Sequence, residues 1–220
     1  MIFTNQSNSA SAVTITGTPI VPKEWAFVSL VGQYPESTQI TPGAGWLILD
    51  QVDLQECVAS QYLIGTSPVS ISSPMSTTTG FHAIMGIFGT SIPNVGPTVW
   101  QVGGVSNLFT AGSFGFPSNV IAGHSILLNI QNSDTTQDAP ITSVTISDSQ
   151  GNFYTPLAAI TSGAGNTQGW MYVTTGIAGG ALTINYTLNH RARGGIRAVE
   201  VSGFTLTDPV AQSTTACIIC

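Results

Sequence analysis

Hydrophobic and polar positions alternate in short runs along this chain. Runs of β-branched and aromatic residues follow one another closely, and turn-forming residues separate them. Alternation with a period of two residues is typical of strands, whereas a helix spaces its apolar residues by three and four. The helical spacing is absent, so the pattern predicts an all-β fold. The predicted strands cover residues 12–16, 25–31, 45–49, 61–65, 69–72, 82–88, 99–105, 125–131, 141–147, 170–174, 181–188 and 196–201.

Glycine and proline mark the predicted connections. The clearest are residues 41–45, Ser67-Pro68, Ser73-Pro74 and Gly179-Gly180. Such punctuation between short strands predicts a β-sandwich or a β-barrel.

The segment 147–152, Ser-Asp-Ser-Gln-Gly-Asn, predicts a tight connection with Gly151 at a positive φ. Asp148 and Asn152 have two interpretations. The favoured one is a turn held by hydrogen bonds to the Asp148 and Asn152 side chains. The other is half of a calcium loop, which lacks the further acidic ligands such a site needs.

A weak internal repeat indicates the organisation of the chain. Residues 25–31 resemble 124–130, residues 61–72 resemble 170–186, and residues 81–88 resemble 196–201. The repeat predicts two consecutive antiparallel β-sandwich domains, of the jelly-roll or immunoglobulin-like kind. We place them at residues 1–92 and 93–220, with the Gly- and Pro-rich segment 89–97 as the joint.

The surface of this protein is expected to be nearly uncharged. The 220 residues include four basic and ten acidic side chains, a net charge of −6 and 6% charged residues. An ordinary soluble domain has about 25%. Ser, Thr, Asn, Gln and Gly take their place, and 42% hydrophobic residues exclude a disordered chain. Because such a surface cannot neutralise phosphates, we expect neither nucleic acid nor an anionic membrane as partner.

The sequence also bears on where the protein acts. No apolar run approaches the length of about 18 residues that suggests a membrane span. The N-terminal segment Met-Ile-Phe-Thr-Asn-Gln lacks the basic and apolar regions of a secretory signal. We therefore expect synthesis in the cytoplasm for a protein with an extracellular type of composition.

The second half of the chain resembles a known module. Five segments carry the resemblance, and they are residues 120–128, 141–155, 170–173, 178–184 and 198–203. They are similar to a β-sandwich module that occurs in tandem in bacterial surface proteins and as short chains among phage virion structural proteins. The resemblance covers residues 111–203 and reaches the first half through the repeat. It implies a jelly-roll or immunoglobulin-like sandwich without catalytic residues.

The sequence offers little for metal or redox chemistry. The terminal Cys-Ile-Ile-Cys lacks the βαβ context of a redox pair and the second ligand pair of a zinc site. We expect small buried thiols, with a terminal disulfide or an intersubunit link as the alternative, and we expect no cofactor and no metal. The residues concerned are Cys57, Cys217, Cys220 and the mutually distant His82, His124 and His190.

One carboxylate is placed unlike the others. Glu200 lies within a predicted strand, on the same alternating face as Ile196 and Ala198. A buried carboxylate can be functional, but it is more often hydrogen-bonded to nearby backbone. Since the sequence shows no known catalytic motif, we expect no enzyme.

Two groups of side chains are candidates for binding. Arg191, Arg193 and Arg197 hold most of the positive charge and would suit a partner's carboxylates. The alternative is a solvated loop paired with acidic residues of the same chain. Four tryptophans are candidates for sugar stacking, with core packing as the favoured alternative for Trp25 and Trp170. They are Trp25, Trp46, Trp100 and Trp170.

Together these features predict a non-enzymatic structural protein of a bacteriophage virion. A capsid decoration or cement protein on the outer surface is the most concrete form, with major capsid or other virion proteins as partners and a homo-oligomer as its state. The alternative is a carbohydrate-binding or adhesion module on a cell or virion surface.

Overall fold

A computed structural model describes residues 2–17, 25–32, 41, 47–53, 57–64, 69–88, 98–106, 110–132, 140–161, 168–191, 194–203 and 213–215. Before residue 98 it describes mainly the backbone. The strands are β1 (Ile2–Gly17), β2 (Trp25–Gly32), β3 (Leu47–Asp53), β4 (Cys57–Ile64), β5 (Val69–Phe88), β6 (Thr98–Ser106), β7 (Ala111–Gly115), β8 (Ser125–Asn132), β9 (Val144–Asp148), β10 (Thr155–Thr161), β11 (Gln168–Thr175), β12 (Thr183–Leu188), β13 (Gly194–Ser202) and β14 (Ser213–Thr215).

The predicted all-β class is confirmed for the described residues, which contain no helix. No helix in these ranges could therefore cross a membrane. The strands form a six-stranded sheet, β14-β1-β5-β2-β4-β3, a five-stranded sheet, β10-β11-β8-β13-β6, and a three-stranded sheet, β7-β12-β9. Apart from the short parallel pair β1 and β14, all pairs are antiparallel. This arrangement is consistent with a β-sandwich.

The five-stranded and three-stranded sheets enclose one hydrophobic core. Ile126, Leu128 and Ile130 project from β8 into it, and Ile184 and Tyr186 meet them from β12. All eight residues of β8 are buried, which means that both faces of this central strand are covered. The outward face of β8 carries Leu127, which is fully buried together with Met171, Val173, Val199 and Val201.

The first half of the chain lies on that outward face. The backbone of β5 approaches β11 and β10, β1 approaches β10, and β3 approaches β6. The three sheets therefore stack in layers, with the five-stranded sheet in the middle. Burial of apolar side chains on both of its faces is the main stabilising term available to a chain with so few charges.

The two halves related by the internal repeat also have the same pattern of strand pairing. The first half orders its strands β1-β5-β2-β4-β3, and the second half uses β6-β13-β8-β11-β10. The register is also the same. At one end of the central strand, Trp25 is opposite Ile64 and Phe88, and at the same place in the second half Ser125 is opposite Thr175 and Val201. At the other end, Gly32 is opposite Cys57 and Phe81, and Asn132 is opposite Gln168 and Gly194. Trp25 thus corresponds to Ser125, one residue beyond the His124 suggested by the sequence comparison.

Even an irregularity is repeated. A register shift lies between Ile48 and Asp50 in β3 and between Pro156 and Ala158 in β10. Both strands are the outer neighbours of corresponding strands, β4 and β11. Because β-bulges arise at specific positions and bend a strand locally, their coincidence supports a common plan for the two halves.

Two features of the sequence prediction change, and a third stays untested. The turn expected at Ser73-Pro74 is wrong, since β5 continues through these residues and Pro74 pairs with Ala12 next to a register shift. Strands β7, β10 and β14 were not predicted. The joint at 89–97, and with it the boundary between residues 92 and 93, lies outside the described residues.

Candidate functional site

The most unusual local structure of the second half is a β-bulge at Trp100. In the pairing of β6 with β13, Gln101 is opposite Glu200 and Val99 is opposite Val201, so Trp100 has no partner across the ladder. Bulges redirect a side chain and are frequent on edge strands, the position that β6 occupies. The Trp100 side chain is 54% exposed, and its indole Nε1 donates a hydrogen bond of 2.9 Å to Ser202 Oγ.

A fully buried carboxylate lies on β13, the strand that pairs with β6. Glu200 is 0% exposed and points to the same face as Ile196 and Ala198, as predicted. Its Oε1 accepts hydrogen bonds of 2.7 Å from the backbone N–H of Ile121 and from His124 Nδ1, and its Oε2 accepts one of 2.5 Å from Gln101 Nε2. Burying a charged or polar group without partners is costly, and these three bonds satisfy both oxygens of Glu200.

The loop before β8 is held to the sheet by these bonds. Gln101 extends the connection, because its Oε1 accepts a hydrogen bond of 3.0 Å from the Ser118 backbone N–H. Val120 forms an isolated bridge with Gly180, whose neighbour Gly179 lies close to Ala122. A Cβ on Gly179 would come within 2.8 Å of the Ala122 nitrogen, and φ at Gly179 is +84°. This close approach requires glycine.

His124 connects the carboxylate to the exposed indole. Its ring centroid lies 5.1 Å from that of Trp100, with 41° between the ring planes. The His124 side chain is 12% exposed. We name the group of Trp100, Gln101, His124 and Glu200 the Trp100 cluster.

A carboxylate that orients an imidazole supplies two members of a catalytic triad. The third member is a nucleophile that is hydrogen-bonded to the imidazole. Within the described part of the chain, no serine or threonine hydroxyl and no thiol is hydrogen-bonded to the His124 ring. What the cluster does show is a rigid imidazole fixed through Nδ1, beside an indole fixed through Nε1.

The second buried carboxylate holds a turn, as the sequence predicted. Asp148 Oδ1 accepts hydrogen bonds from the backbone N–H groups of Gln150 (2.9 Å) and Asn152 (3.0 Å). Its Oδ2 accepts from Asn152 Nδ2 at 2.8 Å and from the Tyr154 hydroxyl at 2.9 Å. Gly151 has the predicted positive φ of 74°. With both oxygens engaged by protein donors, the arrangement favours the turn over the calcium loop.

This turn carries the chain from one layer to the other, since β9 belongs to the three-stranded sheet and β10 to the five-stranded sheet. Burial raises the pKa of the Tyr154 hydroxyl well above its ordinary value of 10.0, and the Asp148 charge and hydrogen bond add to the shift. Burial also raises the pKa of Tyr172.

The three candidate arginines are not equivalent. Arg197 is buried, and its Nη1 donates to the carbonyl oxygens of Val105 at 3.0 Å and Ile196 at 2.9 Å. Its guanidinium therefore binds backbone inside the chain, instead of lying on a surface that meets a partner. Arg191 is exposed, and Arg193 lies outside the described residues.

The four tryptophans also differ. Trp170 is half-buried and packs against the sandwich core, as the favoured alternative for this residue expects. Trp25 lies in β2, where the backbone alone is described, and Trp46 is outside the described residues. Trp100 is the candidate with a described, exposed ring.

The structure describes the remaining metal and thiol candidates only in part. In the described ranges, no three His, Cys, Asp or Glu side chains lie close enough to hold a metal ion. Cys57 is in β4 and His82 in β5, with the backbone alone described, and His190 is exposed. Cys217 and Cys220 lie outside the described residues.

Comparisons with protein families, with curated proteins and with solved structures find no match to this chain. The resemblance to the β-sandwich module therefore stays a prediction.

Proposed function

We propose that this chain is a non-enzymatic structural protein of a bacteriophage virion, most concretely a capsid decoration protein bound to the outer surface of the shell. Its partners are major capsid or other virion proteins and further copies of itself. It acts through buried interface area and needs neither a cofactor nor a catalytic residue.

The observation that carries the proposal is the outer face of the three-stranded sheet. Along β12, buried and exposed residues alternate strictly. Asn185 lies between Ser113 on β7 and Ser147 on β9, and the next row has Thr187 between Ala111 and Thr145. The exposed residues on this face are Ala111, Ser113, Gly115, Thr145, Ser147, Thr183, Asn185 and Thr187, and none is charged.

A face of this composition suits repeated protein contact. Charged residues are depleted in the core of protein interfaces, because their desolvation is expensive. Hydroxyl and amide groups have a smaller desolvation cost and form hydrogen bonds across the contact. Since the strands around β12 are the edges β7 and β9, the sheet also presents backbone groups for pairing with a neighbour.

The proposal includes two consecutive β-sandwich units, at residues 1–92 and 93–220. The repeated strand order and register support it. In the second half β7 and β12 form the second layer of the sandwich, and the pairing of residues 10–17 with residues 69–79 occupies the corresponding position in the first half. In this proposal the first unit, with its uncharged opening segment, binds the capsid lattice. The second unit projects from the shell or contacts a symmetry-related copy, and Arg191 and Arg193 lie at interfaces.

Purified particles of the phage that encodes the chain give the test. Quantitative mass spectrometry is expected to detect the chain at a copy number comparable to that of the capsid subunits. Absence from the particles would show that the proposal is wrong.

A matched pair of variants examines the sheet face. Asn185→Lys places a charge at the centre of the uncharged face and is expected to reduce incorporation at least tenfold. Thr175→Lys adds the same charge at the exposed end of β11, off this face, and should be incorporated normally. Equal incorporation of both variants would show that this face does not make the contact.

A further inference from the structure

We propose that the Trp100 cluster is a binding subsite for the ring of an uncharged sugar, such as a hexose unit of a neutral glycan. In this subsite the Trp100 indole is the stacking surface and His124 supplies the directional hydrogen bond. The site is separate from the sheet face proposed to contact the virion, so the two proposals succeed or fail independently.

The first argument is the rigidity of the indole. The Trp100 ring is tied through Nε1 to Ser202 Oγ and contacts the His124 ring. It lies in a bulge without a partner across the ladder, and its exposed fraction is 54%. A large exposed aromatic side chain that is already fixed loses little conformational entropy when a ligand binds, which favours affinity.

The second argument concerns the atoms that remain for a ligand. The one polar atom of the indole is used by Ser202, so what the ring offers to solvent is apolar surface. In His124, Nδ1 is bonded to Glu200, and Nε2 is the remaining polar atom. An apolar ring surface beside a single directional polar atom matches a sugar, which has apolar C–H faces and hydroxyls at its edge. With Nδ1 donating to Glu200, Nε2 of the neutral ring is an acceptor, and a sugar hydroxyl can donate to it.

The third argument is charge. The Glu200 carboxylate, which is hydrogen-bonded to His124, disfavours an anionic ligand, and the described residues of the cluster include no lysine or arginine to offset it. The exposed neighbours Ser118 and Asn119 are uncharged. An uncharged ligand is therefore favoured over a phosphate, a sulfate or a sialylated glycan.

The fourth argument comes from the repeat. Glu200 pairs with Ile126, and the corresponding pair in the first half is Ile87 with Ala26. The same strands pair in the same register with an isoleucine at this position. The strand pairing therefore does not require the carboxylate, and a role in orienting His124 beside Trp100 accounts for it.

The test uses the full chain and a panel of neutral oligosaccharides built from glucose, galactose, mannose and N-acetylglucosamine, with saturation-transfer NMR as the readout. At least one probe is expected to bind and to show transfer to its C–H face. Trp100→Ala should weaken that binding by about tenfold or more, as expected for a central aromatic contact. Trp100→Phe should keep part of it.

The matched control is Phe153→Ala, which removes another exposed aromatic ring, 79% exposed and outside the cluster. It should leave binding unchanged. His124→Gln is expected to weaken binding without abolishing stacking. Thermal unfolding of each variant verifies that the fold is kept.

Three results would overturn the proposal: no neutral probe binds, Trp100→Ala binds as the unmodified chain does, or sialylated and sulfated probes bind more tightly than neutral ones. Loss of particle incorporation in Trp100→Ala, with no sugar bound by the unmodified chain, would assign the cluster to a protein contact instead. Normal incorporation with lost sugar binding is the expected combination.

Discussion

In the first half of the chain β1 and β5 run side by side as one long pair, whereas in the second half the corresponding path is divided into β6 and β7 on one side and β12 and β13 on the other. The division allows β7 and β12 to leave the large sheet and, with β9, to form a second layer. The same strand plan thus appears with two long strands in the first half and with four shorter strands in the second.

The halves also differ in the side chains at corresponding positions of their paired strands. Where the first half has Ile87, the second has Glu200 and its three hydrogen bonds. Two of the strand contacts between the halves are reciprocal, because β1 on β10 and β3 on β6 join corresponding strands in exchanged roles.

The largest expected effect tests whether the halves share a core. Leu127 is fully buried on the face of the five-stranded sheet that the first half covers. Leu127→Asp places an unpaired charge there and should lower the free energy of unfolding by about 4 kcal/mol or more. The measurement is urea unfolding followed by circular dichroism.

The control is Thr187→Asp, at an exposed position of β12, which should change stability by at most about 0.5 kcal/mol. If both variants are equally stable, the outward face of β8 is not an interface between the halves.

The second prediction concerns the replacement of Glu200 by isoleucine, the residue type at the corresponding position 87 of the first half. Glu200→Ile leaves the donors of Ile121, His124 and Gln101 without their acceptor and should cost about 2–4 kcal/mol. Glu200→Gln keeps one acceptor oxygen and should cost less. Chemical denaturation gives both values, and a stabilising Glu200→Ile would show that the cluster is not satisfied as described.

Two glycines that both have a positive φ, Gly151 and Gly179, allow two loops to be compared. A Cβ on Gly179 meets the Ala122 nitrogen at 2.8 Å, whereas a Cβ on Gly151 meets nothing within 4 Å. Gly151→Ala should cost about 1–2 kcal/mol from the positive φ alone. Gly179→Ala should cost clearly more and, by displacing the loop, should also change the Trp100 fluorescence. Equal costs in thermal unfolding would contradict the close approach at Ala122.

The smallest effect concerns pH. The pKa of Tyr154 is raised in the folded state above its ordinary value of 10.0. A raised pKa means that the neutral phenol stabilises the fold, so this contribution is fully present below about pH 10 and is lost as the pH rises beyond it. Tyr154→Phe removes a hydrogen bond to Asp148 and should cost about 1 kcal/mol near neutral pH.

The Tyr154→Phe chain should then lose less stability than the unmodified chain between pH 9 and about 11, the range around the ordinary phenol value. Urea midpoints measured across this range give the comparison. Parallel curves for the two chains would contradict the burial of the hydroxyl.

Local patterns predicted the strands that carry strong alternation, and tertiary context decided the others. β10 contains Pro156, which weakens a strand prediction but is tolerated here because β10 is an edge strand. β7 reads Ala-Gly-Ser-Phe-Gly and buries a single residue, Phe114, so its pattern is too weak to detect. Pro74 was taken for a turn because sequence cannot show that a bulge accommodates it.

The candidate site shows the same limit. The inward direction of Glu200 followed from alternation along one strand. Its partners are His124 and Gln101, separated from it by 76 and 99 residues in the chain. Only the pairing of β6 and β8 with β13 brings them together, and the bulge that exposes Trp100 exists only in that pairing.

A reconstruction of the assembled phage particle at side-chain resolution tests the central claim most directly. The account predicts the chain on the outer surface of the shell, with the uncharged face of β7, β12 and β9 against a neighbouring subunit. Particles without the chain, or a chain whose three-stranded sheet faces open solvent, would contradict the account.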